Sequence, residues 1–209
     1  MFDVKQTRVN FEQKLVDAYK EAIVEMRKNR AMPKDMGITG STFRAYRNCH
    51  GRRPSEVYKE WAKSSGMAIV SGGSIESRKQ FTDLHSSLAS SFSDSWKNAG
   101  NRSLLVSEKF KVVDLFVKAL AFRSQHNCEE QRNGLFRFAN IPLDKFSLLA
   151  LTDLFVGVVI SKAPSMGDIR DIETYEYLQD FIYDATRSLG LPNLVFDFYA
   201  WDAFHSPQD

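Results

Sequence analysis

Cysteine is scarce in this 209-residue chain, which has only Cys49 and Cys128. Two thiols so far apart in sequence make neither a disulfide framework nor a zinc ribbon. A reducing, cytoplasmic setting is therefore expected. Histidine is equally sparse. His50, His85, His126 and His205 are scattered, and His126 beside Cys128 lacks further ligands, so neither a metal nor any other cofactor is expected. No apolar run approaches the roughly 18 residues that a membrane span requires. The longest patch, Leu148 to Ile160, is interrupted by Thr152 and Asp153. The first residues, Met-Phe-Asp-Val-Lys-Gln, lack the basic region and apolar stretch of a secretory signal. The phosphate-binding patterns G-x-x-x-x-G-K-[ST] and G-x-G-x-x-G are missing, as is the G-x-S-x-G nucleophile elbow. "SGMAIVSGGS" is glycine-rich but has no lysine to reach a phosphate.

Apolar residues are plentiful: 43% of the chain is hydrophobic and 12% aromatic, with 16 Phe and 3 Trp. That is enough to build a packed core and excludes global disorder. The net charge of +2 conceals a gradient. Residues 1–66 carry 14 Lys+Arg against 8 Asp+Glu, residues 67–140 carry 10 against 7, and residues 141–209 carry 4 against 11. The resulting +6, +3 and −7 describe a basic head and an acidic tail, of which only the head suits a polyanion.

Helical spacing dominates the chain. Phe11, Leu15, Tyr19, Ile23 and Met26 fall on one face of a helix that starts near Thr7 or Asn10 and ends around Arg27 to Arg30. Pro54 and Ser55 suit the start of another, with Val57, Tyr58 and Trp61 on its apolar side. The stretch 64–77 is rich in Gly and Ser and reads as a linker, with Met67 to Val70 as a short strand or a docked segment. Beyond it, Phe81, Leu84, Leu88 and Trp96 fit one helix, and Phe110, Val113, Phe116, Val117 and Leu120 a second. Residues 145–160 form a third, apolar on most faces and so expected to be central. A fourth is capped by Asp168 or Asp171 and closed by Gly190. The final stretch, "NLVFDFYAWDAF", fits a helix better than a strand. The expected fold is mainly α: a head over residues 1–66, a linker over 67–75, and a helical bundle over 76–209 for dimerisation or partner binding.

The basic head holds the most specific pattern. With Gly37 at the turn of a helix-turn-helix, Met32, Met36, Ile38, Phe43 and Tyr46 occupy the positions that would lock two short helices together. Gly37 supplies positive φ, and Thr39 or Ser41 can cap the second helix. The outward face of that helix, placed at about 39–50, carries Ser41, Thr42, Arg44, Arg47 and Asn48. These side-chain types bind bases and phosphates. Arg52 and Arg53 follow where backbone-clamping residues lie, and Lys28, Arg30 and Lys34 flank the other side.

"GITGSTFRAYRN" resembles the turn and recognition helix of helix-turn-helix DNA-binding proteins. "RAYRNCHGRRP", Arg44 to Pro54, is similar to the end of the second helix-turn-helix of AraC-type regulators. Pro33 stands where the first family usually has a small residue, and Thr42 where the second has an aromatic. The general resemblance implies duplex-DNA contact through Arg44, Arg47 and Asn48, with Thr39 and Ser41 near phosphates. A transcriptional regulator working as a homodimer is the leading expectation. A protein-interaction adaptor with a basic hairpin is the first alternative. A nucleic-acid-processing enzyme is the second, with Asp197, Asp202 and His205, or Asp144 and Lys145, as its candidate residues. Asp168, Asp171 and Glu173 are better explained by a helix N-terminus, and no catalytic residue is assigned.

Overall fold

Apolar residues repeating at helical spacing become buried helix faces throughout the computed structural model. It describes residues 4–28, 31–40, 42–46, 49–71, 73–123, 129–154, 161 and 163–205, apart from the side chains of 4–10, 45 and 154. The fold is mainly α-helical, with no strand among the described residues. Nine α-helical segments are described: α1 (Val4–Arg27), α2 (Pro54–Trp61), α3 (Met67–Val70), α4 (Arg78–Asn98), α5 (Val106–Phe122), α6 (Glu129–Phe138), α7 (Lys145–Leu154), α8 (Ile172–Ser188) and α9 (Val195–His205).

Local chemistry sets several of the boundaries. The α1 helix turns Leu15, Ala18, Ala22 and Met26 inward, and Phe11, Tyr19 and Ile23 lie half-buried beside them. A capping box opens α4: Ser77 Oγ accepts from the Gln80 amide, and Gln80 Oε1 accepts from the Ser77 amide. Asp171, rather than Asp168, caps α8 by accepting from the Thr174 amide at 2.7 Å. Asp168 instead accepts from the Ser165 amide in a short turn ahead of that helix. Gly190 closes α8 at φ +67°. The last stretch is helical, as its Leu194, Phe198 and Trp201 spacing indicates. Residues 155–160 of the expected third helix lie outside the described residues. Among the described helices, α5 is buried on most of its surface, through Val112, Val113, Asp114, Phe116, Val117, Leu120 and Ala121.

The head does not fold apart from the tail. Met36, Ile38, Tyr46, Tyr58 and Trp61 belong to the same core as Phe92, Trp96 and Phe116. The Trp61 ring lies 4.9 Å from Phe92 and 5.0 Å from Phe116, centroid to centroid. Tyr46 lies 5.7 Å from Trp96, and its hydroxyl donates to the Glu108 carbonyl at 2.6 Å. The stretch expected as a linker is folded too. From α2 the chain makes one wide turn, Ala62–Gly66, and runs straight into α3. Gly66 is buried because the Phe116 ring occupies the space a side chain would need: a Cβ there would lie 3.1 Å from it. Val70 and Ile75 are buried, and the Gln131 side-chain amide donates to the carbonyls of Val70 and Gly73. Gly and Ser lower a segment's own apolar content, but here they let it approach α5 closely.

The apolar positions around Gly37 are filled, but not as two helices locked together. Met36 and Gly37 are both left-handed, at φ +54° and +85°. Among the described residues of 39–50, where a recognition helix is expected, the chain forms a single 3-10 turn, Thr42–Ala45, and no α-helix. The run Thr39–Gly40–Ser41–Thr42 explains the shortfall, because glycine and β-branched or hydroxylated residues are weak helix formers. Met36, Ile38 and Tyr46 thus spend their apolar surface on the body of the molecule.

Gly37 tests this packing. A Cβ there would lie 2.3 Å from Cβ of Ala119 on α5, whereas a Cβ on left-handed Gly190 would meet nothing within 4 Å. Gly190→Ala is expected to cost about 1 kcal/mol of backbone strain. Gly37→Ala adds overpacking and should cost about 3 kcal/mol or more. Urea midpoints of the two variants measure the difference. Equal shifts would show that this turn does not sit on α5.

Candidate functional site

All of the head's excess charge falls in residues 28–63, which hold 9 Lys+Arg against 3 Asp+Glu. The segment is fixed at several points. The Tyr58 hydroxyl donates to the Met36 carbonyl at 2.6 Å, and Phe43 packs on Tyr46 and Tyr58. Further on, the Gly51 amide donates to Asn101 Oδ1 at 3.1 Å, the Asn101 amide group donates to the Arg52 carbonyl at 3.1 Å, and the Arg52 amide donates to the Ala99 carbonyl at 3.1 Å. A Cβ on Gly51 would come within 2.2 Å of the Ala99 carbonyl oxygen. Two loops, 49–53 and 99–102, are therefore clasped backbone to backbone.

The clasp presents Arg52 and Arg53 outward, both exposed. Arg52 forms a two-pronged pair with Glu60 at 2.5 and 2.8 Å, and Arg53 lies 3.9 Å from Glu56. The guanidinium of Arg52 holds the Glu60 carboxyl below its ordinary pKa range. These exposed pairs are weak, so an incoming phosphate can compete for either arginine. Arg44 and Thr39 are exposed on the adjoining turn, and Thr42 is half-buried. Lys34 is exposed, and exposed Lys28 pairs with Glu25 at the end of α1. The structure thus brings Arg52 and Arg53 onto one loop, while none of the described contacts joins Lys28 or Lys34 to them. Arg30, Ser41, Arg47 and Asn48 lie outside the described residues. Among the described residues, Arg44, Arg52 and Arg53 stand on a 3-10 turn and a loop rather than along the side of an α-helix.

The acidic candidates of the tail are placed structurally. Asp144 caps α7, accepting from the amides of Phe146 and Ser147, and Asp197 is buried against Lys118. His205 lies against the Trp201 ring. No group of three or more His, Cys, Asp and Glu that could hold a metal occurs among the described residues.

A polar cluster that no sequence motif marks lies inside the fold. His85 Nε2 is 2.8 Å from Asp114 Oδ1. The Tyr175 hydroxyl donates to the same carboxyl at 2.9–3.0 Å and accepts from Asn140 Nδ2 at 2.9 Å. Asp114 is fully buried and the other three nearly so. Rings stack around them, with Phe110 and Tyr175 centroids 4.2 Å apart at 11° and His85 parallel to both. Burial raises the Asp114 carboxyl above its ordinary pKa, while His85 and Tyr175 oppose that shift. One sequence signal is present: His85 and Asp114 stand at inward positions of otherwise apolar helix faces, between Phe81 and Leu88 and between Val113 and Phe116.

Tyr175→Phe removes one donor to Asp114 and the acceptor of Asn140, and should cost about 1.5–3 kcal/mol. The pH dependence has a definite sign. A carboxyl whose folded pKa is raised contributes stability that is fully present below its unfolded pKa and is lost as pH rises through the folded value. Removing the Tyr175 donor lifts the Asp114 pKa further, so the variant's deficit grows with rising pH. Urea titrations across the carboxylate range check this. A deficit that shrinks as pH rises would contradict it.

No protein-family model, no curated protein and no solved structure matches this chain.

Proposed function

We propose that the chain binds duplex DNA through the loop face of residues 28–63. The observation behind this reading is the concentration of the head's whole +6 charge in a segment clasped to the core, with Arg44, Arg52 and Arg53 exposed. In this reading Lys28, Arg30, Lys34, Thr39, Ser41, Thr42, Arg52 and Arg53 serve phosphates, and any base contact falls to Arg44, Arg47 and Asn48. Affinity then comes mostly from counterion release and little from sequence. A regulatory role would need a second copy to supply a second half-site, which makes the homodimer part of the same proposal. The alternative partner is an acidic protein surface. The two-pronged seat that Arg52 gives Glu60 favours that reading, because it is the geometry with which guanidinium binds any carboxylate.

Fluorescence anisotropy with a random-sequence duplex at a series of salt concentrations tests the proposal. The full chain should bind with a log-affinity that falls linearly with log salt. The triple variant Lys34→Ala, Arg52→Ala, Arg53→Ala should flatten that slope by about 0.9 for each phosphate it no longer neutralises, with little change in unfolding midpoint. An unchanged slope removes these residues from the interface. No salt-dependent binding by the full chain leaves the acidic-protein reading in its place.

A further inference from the structure

Beside the buried cluster, α4 and α8 part to leave a cleft of about 530 Å³ floored by the start of α5. That volume lies within the range of small-molecule sites. The helices are joined at one end by Arg78, which lies 3.5 Å from Asp180 and over the ring of Tyr183. His85, Asn140 and Tyr175 form part of the lining, so the polar cluster borders the cleft directly.

Two features of the lining point to a ligand. The first is Lys109, in the opening turn of α5. It is partly buried, no carboxylate among the described residues lies within ion-pair distance, and its ammonium sits over the Phe110 ring at 4.5 Å. Burial alone lowers its pKa. A partly desolvated ammonium in the first turns of a helix, with no counter-ion among the described residues, is a seat for an anion. Ser86 and Ser90, one turn apart on α4, line the same space and are exposed.

The second feature is the direction of the hydrogen bonds. Asn140 donates to the Tyr175 hydroxyl, and Tyr175 donates to Asp114. Nε2 of His85 is engaged by Asp114, and no described hydrogen bond engages Nδ1. Oδ1 of Asn140 is buried and unpartnered among the described residues. The lining therefore offers a cation and hydroxyls at one place and polar atoms without a described partner at another. Glu176, exposed at the mouth, and Asp180, paired with Arg78, add negative charge that disfavours highly charged anions such as polyphosphates.

We propose that this cleft binds a small molecule bearing one oxyanion group, a carboxylate or a phosphate monoester, held by Lys109 with Ser86 and Ser90, and a polar group that meets Nδ1 of His85. The site is separate from the loop face and does not rest on the nucleic-acid reading.

Titration of the isotopically labelled full chain by heteronuclear NMR tests it, with inorganic phosphate in one series and acetate in another. Saturable shifts are expected for amides of 82–90, 109–110 and 175–179. Saturation by phosphate alone identifies a phosphate ligand, and by acetate alone a carboxylate. Lys109→Gln should weaken binding at least tenfold. Ser86→Ala with Ser90→Ala, both at exposed positions, should weaken it about threefold and serves if the lysine variant does not fold. Lys145→Gln, on the surface of α7, should leave it unchanged. Shifts that never saturate, or that survive both cleft variants, overturn the proposal. So does saturation that disappears on removing the loop arginines but persists in Lys109→Gln, because the anion would then sit on the basic loop.

Discussion

Tyr58 and Trp61 hold residues 31–70 on the body of the molecule. Both are fully buried, and with Tyr46 they form a continuous set of ring contacts with Phe92, Trp96 and Phe116 of α4 and α5. Burying each such ring contributes about 2–3 kcal/mol, which outweighs any preference of a glycine-rich segment to stay solvated. Their polar atoms are also satisfied, by the Met36 carbonyl, the Glu108 carbonyl and Ser91. The consequences extend along the strap. Gly37 must fit against Ala119, Gly66 against Phe116, and Gly51 against the 99–101 loop. The described residues of the basic loop face are held in place by aromatic neighbours that belong to the core.

Charge is distributed to match. The excess cations fall in residues 28–63, while the exposed side of α8 carries Asp171, Glu173, Glu176, Asp180 and Asp184. In the interior, Asp114 of α5 receives His85 from α4 and Tyr175 from α8. A buried carboxylate is tolerated only when it is satisfied in this way, so α4, α5 and α8 are fixed in register by the same group that orients His85 towards the cleft.

Helix positions are legible in the sequence because burial follows a 3.6-residue period. The α4, α8 and α9 helices can be read from apolar spacing, while the cap of α8 is narrowed only to Asp168 or Asp171 until the Thr174 contact selects Asp171. What lies across that spacing cannot be read. Met36, Ile38 and Tyr46 signal burial equally well whether they pack on a neighbouring short helix or on α5, and only the contact with Ala119 and Trp96 decides. The 67–75 stretch misleads because its glycines mark close approach as readily as freedom. The α6 helix is not evident from apolar spacing, and Gly134 within it packs directly against Ile75. The cleft joins residues more than sixty positions apart, such as Ser86 and Tyr175, so no local motif records it.

Hydrogen exchange of the native protein tests most directly whether strap and body form one unit. Amides of α2 and α3 should exchange with the same opening free energy as those of α5, and that free energy should match global unfolding measured with urea. Opening of residues 54–70 several kcal/mol below the opening of α5 would contradict it, and would show a basic head that comes away from its tail.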